Sequence, residues 1–64
     1  MWTSVYMTQN IENARSMRSQ IENNDIPVML HRIKVEDVNA TDCFELLVPY
    51  AELCEALEII IGIH

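Results

Sequence analysis

Glycine is nearly missing from this 64-residue chain, which has only Gly62. There is no Gly-rich elbow to shape an oxyanion site, and no Asn-Gly or Gly-X pair to mark a two-residue hairpin turn. Basic residues are also scarce, four against ten acids, for a formal charge of −6. That balance repels phosphate backbones and anionic lipid surfaces, so neither nucleic acid nor a membrane is an expected partner. The bases Arg15, Arg18, Arg32 and Lys34 fall in two pairs, too few for a phosphate-tracking stripe. Two cysteines, Cys43 and Cys54, form neither a CxxC redox pair nor a paired-CxxC zinc motif. No apolar run approaches the ~18 residues of a membrane span, and the start Met-Trp-Thr-Ser-Val-Tyr lacks the basic and apolar segments of a secretion signal. A cytoplasmic protein with reduced thiols is the expectation; export would instead allow the two cysteines to pair.

What is present is a high apolar content. Half the residues are hydrophobic, the composition of a packed globule and not of a disordered chain. The length suits one domain over residues 1–64, and a domain of this size hides only about 60% of the surface its unfolded chain exposes. Its stability margin is thin, and a second subunit would add to it.

The stretch Phe44-Glu45-Leu46-Leu47-Val48-Pro49 organises the rest. It is short, apolar on both faces apart from Glu45, and closed by a proline that cannot continue a ladder, which reads as a central strand passing into a helix. Phe44, Leu46 and Val48 share one face, and Cys43, Glu45 and Leu47 share the other, which needs either cover or a partner. Upstream, Trp2 to Met7 is a strand by its β-branched and aromatic content, with Thr3, Val5 and Met7 expected on one face and Trp2, Ser4 and Tyr6 on the other. Asn10 is the best N-cap for a helix whose apolar stripe is Ile11, Ala14, Met17 and Ile21. Asn23-Asn24-Asp25 ends it, an Asn supplying the left-handed residue, with Pro27 just beyond and Ile26 folding back on the last turn.

Residues 28–35 form the second strand. Its odd set, Met29, His31, Ile33 and Val35, is the more apolar and is expected inward near the loop end, although a bulge would reconcile it with the even set Val28, Leu30, Arg32 and Lys34. An acidic loop over 36–42 leads to the central strand. After Pro49 a second helix is expected over about 51–61, with Leu53, Ala56, Leu57 and Ile60 inward, Glu52, Glu55 and Glu58 outward, and Gly62 as its C-cap. Ile59, Ile61 and Ile63 are left partly off the stripe.

The order strand, helix, strand, strand, helix closes simply. A right-handed crossover makes strands one and two parallel, and strand three inserts antiparallel between them. The expected fold is therefore α+β, a ferredoxin-like βαββα unit lacking its last strand, with a three-stranded antiparallel sheet in order 1-3-2 and both helices on one face. Strand one then keeps an unpaired outer edge.

The Val5-Tyr6 strand, the Asn10-x-x-x-Ala14 helix start, the Asp25-Ile26-Pro27 turn, and the Leu47-Val48-Pro49 strand end followed by Ala56 carry a resemblance over nearly the whole chain. In their order and spacing they resemble the small bacterial family of signal-transducing proteins with a PII-like, ferredoxin-like fold. The chain departs from that pattern in its short loop between strands two and three and in Tyr50-Ala51, where acids commonly follow the proline. The resemblance implies the fold and a regulatory role, and it brings no catalytic residues.

Each chemically capable residue also has a simpler explanation. His31 with Glu45, Cys43 or a loop acid lacks any HxH or HExxH spacing, so a strand-face histidine is favoured over a metal ligand; His64 is the last residue of the sequence. Cys43 or Cys54 with His31 as base would need an oxyanion site, and small buried or half-buried hydrophobes explain them better. Glu36, Asp37 and Asp42 lack the calcium-loop spacing, Glu52, Glu55 and Glu58 read as a wet helix face, and Arg32 and Lys34 read as edge-strand charges, with a small-anion site as the alternative. No catalytic, cofactor-binding or metal residues are assigned, and no cofactor is expected. The expected interaction residues are Trp2, Tyr6, Tyr50, Ile59, Ile61 and Ile63, because aromatics with a polar handle anchor interfaces and the isoleucines are left over from the helix stripe. The expected function is a non-enzymatic signalling or regulatory module working as a homodimer or with a protein partner. A small-metabolite sensor is the alternative, and a small enzyme using Cys43 and His31 ranks behind it.

Overall fold

The computed structural model describes residues 1–34, 36 and 41–63, the side chain of Ile63 excepted. The elements run β1 (Trp2–Thr8), α1 (Ile11–Glu22), β2 (Met29–Ile33), β3 (Cys43–Pro49), a 3-10 turn (Tyr50–Glu52) and α2 (Leu53–Ile63). The sheet has the order β1-β3-β2, antiparallel at both pairings. This is the expected βαββα arrangement with its organising strand in the centre. Val35, expected in the second strand, lies outside the described residues.

β3 is central because both of its edges are paired and one of its faces carries the core. Leu46 and Val48 are fully buried on one face, where they meet Met17 and Ile21 of α1, Ile26, and Ala56 and Ile60 of α2 in a single cluster. Both helices therefore cover the same side of the sheet. Ala14 and Ala56, each without exposed surface, place small side chains on the inner faces of the two helices.

Register decides the strand faces, because residues directly opposite in a ladder share a side. In β2, Leu30 pairs with Leu46 and Arg32 with Phe44, so the even residues face the helices, while Met29, His31 and Ile33 face away beside Leu47, Glu45 and Cys43. The odd-inward expectation is thus overturned. In β1 the register slips between Ser4 and Tyr6, a bulge at Val5. Thr3 pairs with Val48 and Tyr6 with Leu46, so Val5 and Tyr6 both pack on the core and Met7 turns outward, 54% exposed. The strict alternation expected for Thr3, Val5 and Met7 fails because one extra residue on the bulged strand switches the side of everything after it.

The helix ends follow local chemistry. Asn10 Oδ1 accepts from the amides of Glu12 at 2.8 Å and Asn13 at 3.4 Å, and Thr8 Oγ1 accepts from the Asn10 amide at 3.1 Å. At the far end, Asn23 stays right-handed and Asp25 is the left-handed residue, with φ 62°. The Asn expected there is not used because the amides of Asn23, Asn24 and Asp25 donate in turn to Ser19, Ile21 and Glu22 carbonyls, which continues helical turning until Asp25. Pro49 stands just ahead of the 3-10 turn, and the Tyr50 amide donates to the Met1 carbonyl at 2.7 Å.

Two expectations about α2 are corrected. The helix runs through Gly62 to Ile63, and Gly62 does not take a positive φ, so it is no C-cap. Leu57 is 38% exposed, whereas Ile59 packs on the core cluster. At about 100° per residue the two lie on opposite flanks of the Ala56–Ile60 line, and only the Ile59 flank meets the domain.

Candidate functional site

The side of the sheet away from the helices is the candidate site. β3 contributes Cys43, Glu45, Leu47 and Pro49, β2 contributes Met29, His31 and Ile33, and β1 contributes Trp2, Ser4 and Met7. Trp2 at 44%, Met7 at 54% and Met29 at 47% are among the most exposed large apolar residues of the chain. Between them Leu47 is only half-buried. Apolar residues exposed on one face of all three strands, around a polar centre, mark an interaction site more often than isolated exposed residues do.

Its polar centre is one cross-strand pair. His31 and Glu45 are register partners, with Nδ1 of the imidazole 3.5 Å from Oε1 of the carboxylate; the histidine side chain is 61% exposed and the glutamate 19%. When His31 is protonated the pair is an ion pair, and at this exposure it adds little stability. The two groups set an imidazole against a carboxylate within one contact.

The other chemically capable residues are spread out. Arg32 points to the helix side beyond the core and donates from Nε, at 2.8 Å, and from Nη2 to Oδ2 of Asp42, so its guanidinium already has a carboxylate. Glu36 is exposed, and Asp37 and His64 lie outside the described residues. Cys43 is half-buried on the open face and Cys54 exposed on α2, both as free thiols. Among the described residues no group of three or more His, Cys, Asp or Glu side chains converges as a metal site, and no helix is long and apolar enough to cross a membrane.

The six expected interaction residues do not form one patch. Trp2 lies on the open face, and Tyr50, 65% exposed, stands just past β3 in the 3-10 turn. Tyr6 and Ile59 pack on the core, Ile61 is exposed on α2, and the Ile63 side chain lies outside the described residues. Met7, Met29, Ile33 and Leu47 of the open face were not among them. Leu47 could have been added from its position opposite Leu46 and Val48; the two methionines required the bulge and the β2 register.

The fold and this face define a two-layer α+β domain with an uncovered apolar sheet surface. A scan against protein-family models and searches of curated proteins and of solved structures found no match.

Proposed function

We propose that this chain is a non-catalytic interaction module that docks protein through the open face of its sheet. The observation that carries the proposal is the uncovered apolar surface of Trp2, Met7, Met29, Ile33 and Leu47 on the side away from the helices. A large apolar area left against water favours association, at roughly 25 cal/mol for each Å² that a partner removes from solvent. The resemblance to PII-like signal-transducing proteins belongs to the same proposal and supplies its regulatory sense: a small domain whose output is a contact. A cytoplasmic location is part of the proposal too, and suits the two free thiols.

Site-specific photo-cross-linking in cells tests the reading. A photo-reactive amino acid in place of Met29 is expected to yield a covalent protein adduct, and the same residue in place of the exposed Ser19 on α1 is expected to yield none. Equal adducts from both positions, or no adduct from Met29, would remove the reading.

A further inference from the structure

We infer that the occupant of the open sheet face is a second copy of this chain, packed sheet on sheet about a two-fold axis into a four-layer α/β/β/α dimer. The inference rests on the docking reading above and adds the identity of the partner.

Charge selects that occupant. The chain carries −6, yet among the described residues Glu45 is the one acid that the strand register sets on this face, and it sits 3.5 Å from His31. Of the exposed acids, Glu12, Glu22, Glu55 and Glu58 are on the helices, behind the sheet, and Asp25 and Glu36 lie outside helices and strands. With about 10 Å between packed layers, the two helix layers of the dimer stand some 30 Å apart, several times the ~8 Å screening length at physiological salt. Two strongly acidic chains can thus meet on this face with Glu45 as the one described acid that each brings to the contact. A basic partner would be drawn to the helices instead, and an acidic one finds no cationic patch here. The counterpart that fits is apolar and nearly neutral, and the face itself has that character. Isologous contact also lets an imidazole N–H of His31 in one copy donate to the Glu45 carboxylate of the other.

Area sets the strength. Two strands of seven residues and one of five, at ~3.3 Å rise and ~4.8 Å spacing, give a flat footprint of roughly 300 Å². With side-chain relief of about twofold, two such faces bury about 1,200 Å² in total, the low end for a specific complex. The dimer is therefore reversible and micromolar, as expected when a small surface must offset the loss of translational freedom. The pairing also covers the outer side of β3, giving the central strand apolar neighbours on both faces.

Sedimentation equilibrium of the purified chain, from about 1 µM to about 500 µM, tests the inference. The expected result is a monomer–dimer equilibrium with a micromolar Kd that rises at least about tenfold in Met29→Lys, because symmetry counts the new charge twice. Leu57→Lys, on the exposed flank of α2, is expected to leave the Kd unchanged. Leu47→Lys should act like Met29→Lys; if it unfolds, Met29→Lys decides alone, since a side chain already 47% exposed tolerates a lysine in the monomer. A chain that stays monomeric throughout, or a dimer indifferent to Met29→Lys, overturns the inference. The cross-linking from position 29 keeps the two ideas apart. An adduct of twice the chain mass supports the second copy, whereas an adduct of any other mass retains the docking face and overturns the self-pairing.

Discussion

Asn10 satisfies two of the four orphan amides of α1 with one oxygen. Asn10→Ala is expected to cost about 1 kcal/mol, which a urea titration would register as a lower midpoint at unchanged slope. An unchanged midpoint would mean that water serves those amides equally well. This cap was legible in the sequence because the chemistry is confined to a few neighbouring residues. The residue that ends the same helix was not. Asn and Asp both tolerate a positive φ, and the choice of Asp25 over Asn23 or Asn24 follows from how far the helical hydrogen bonds persist. The side of the sheet on which Met29 lies was also hidden, since the identity of its cross-strand partner, Leu47, is a long-range fact.

At the scale of elements, α2 passes its only glycine without using it. A Cβ built on Gly62 meets nothing within 4 Å, and its backbone is helical. Gly62→Ala is therefore expected to stabilise the domain by roughly 0.5 kcal/mol, through helix propensity and a less mobile unfolded chain. Thermal unfolding checks this by an upward shift of Tm; a downward shift would show that the helix end needs the glycine. The approximate positions of both helices and all three strands were readable from periodicity, because apolar spacing of three and four marks a helix and spacing of two a strand, whereas the buried faces of β1 and β2 were not. Which flank of α2 packs, covering Ile59 and leaving Leu57 out, is set by the rest of the domain, and neither residue carries a local mark of that choice. The bulge in β1 is similar: nothing in Ser4-Val5-Tyr6 announces it, and it alone turns Tyr6 to the core and Met7 to the open face.

The whole molecule depends on a single apolar cluster. Leu46 is fully buried in it and pairs with Tyr6 on one side and Leu30 on the other. Leu46→Ala is expected to cost about 2–5 kcal/mol, most of the stability of a domain this short at roughly 0.05–0.15 kcal/mol per residue. Circular dichroism at increasing urea is expected to show a transition that is early or already complete in water. A variant as stable as the parent would show that the sheet centre is not where the core lies. If the open face pairs as inferred, the loss is partly recovered at high protein concentration, because a partner that binds only folded chain adds stability by mass action.

The sequence alone determined the element order, the central place of residues 43–49 and the common side of the two helices, because hydrophobic spacing, capping side chains and the handedness of crossovers are local or topological rules. Tertiary structure alone decided which residues make the open face. Side-chain alternation has a period of two, so one bulge or a one-residue change of register exchanges the buried set for the exposed one, and both are fixed by pairing between strands far apart in the chain.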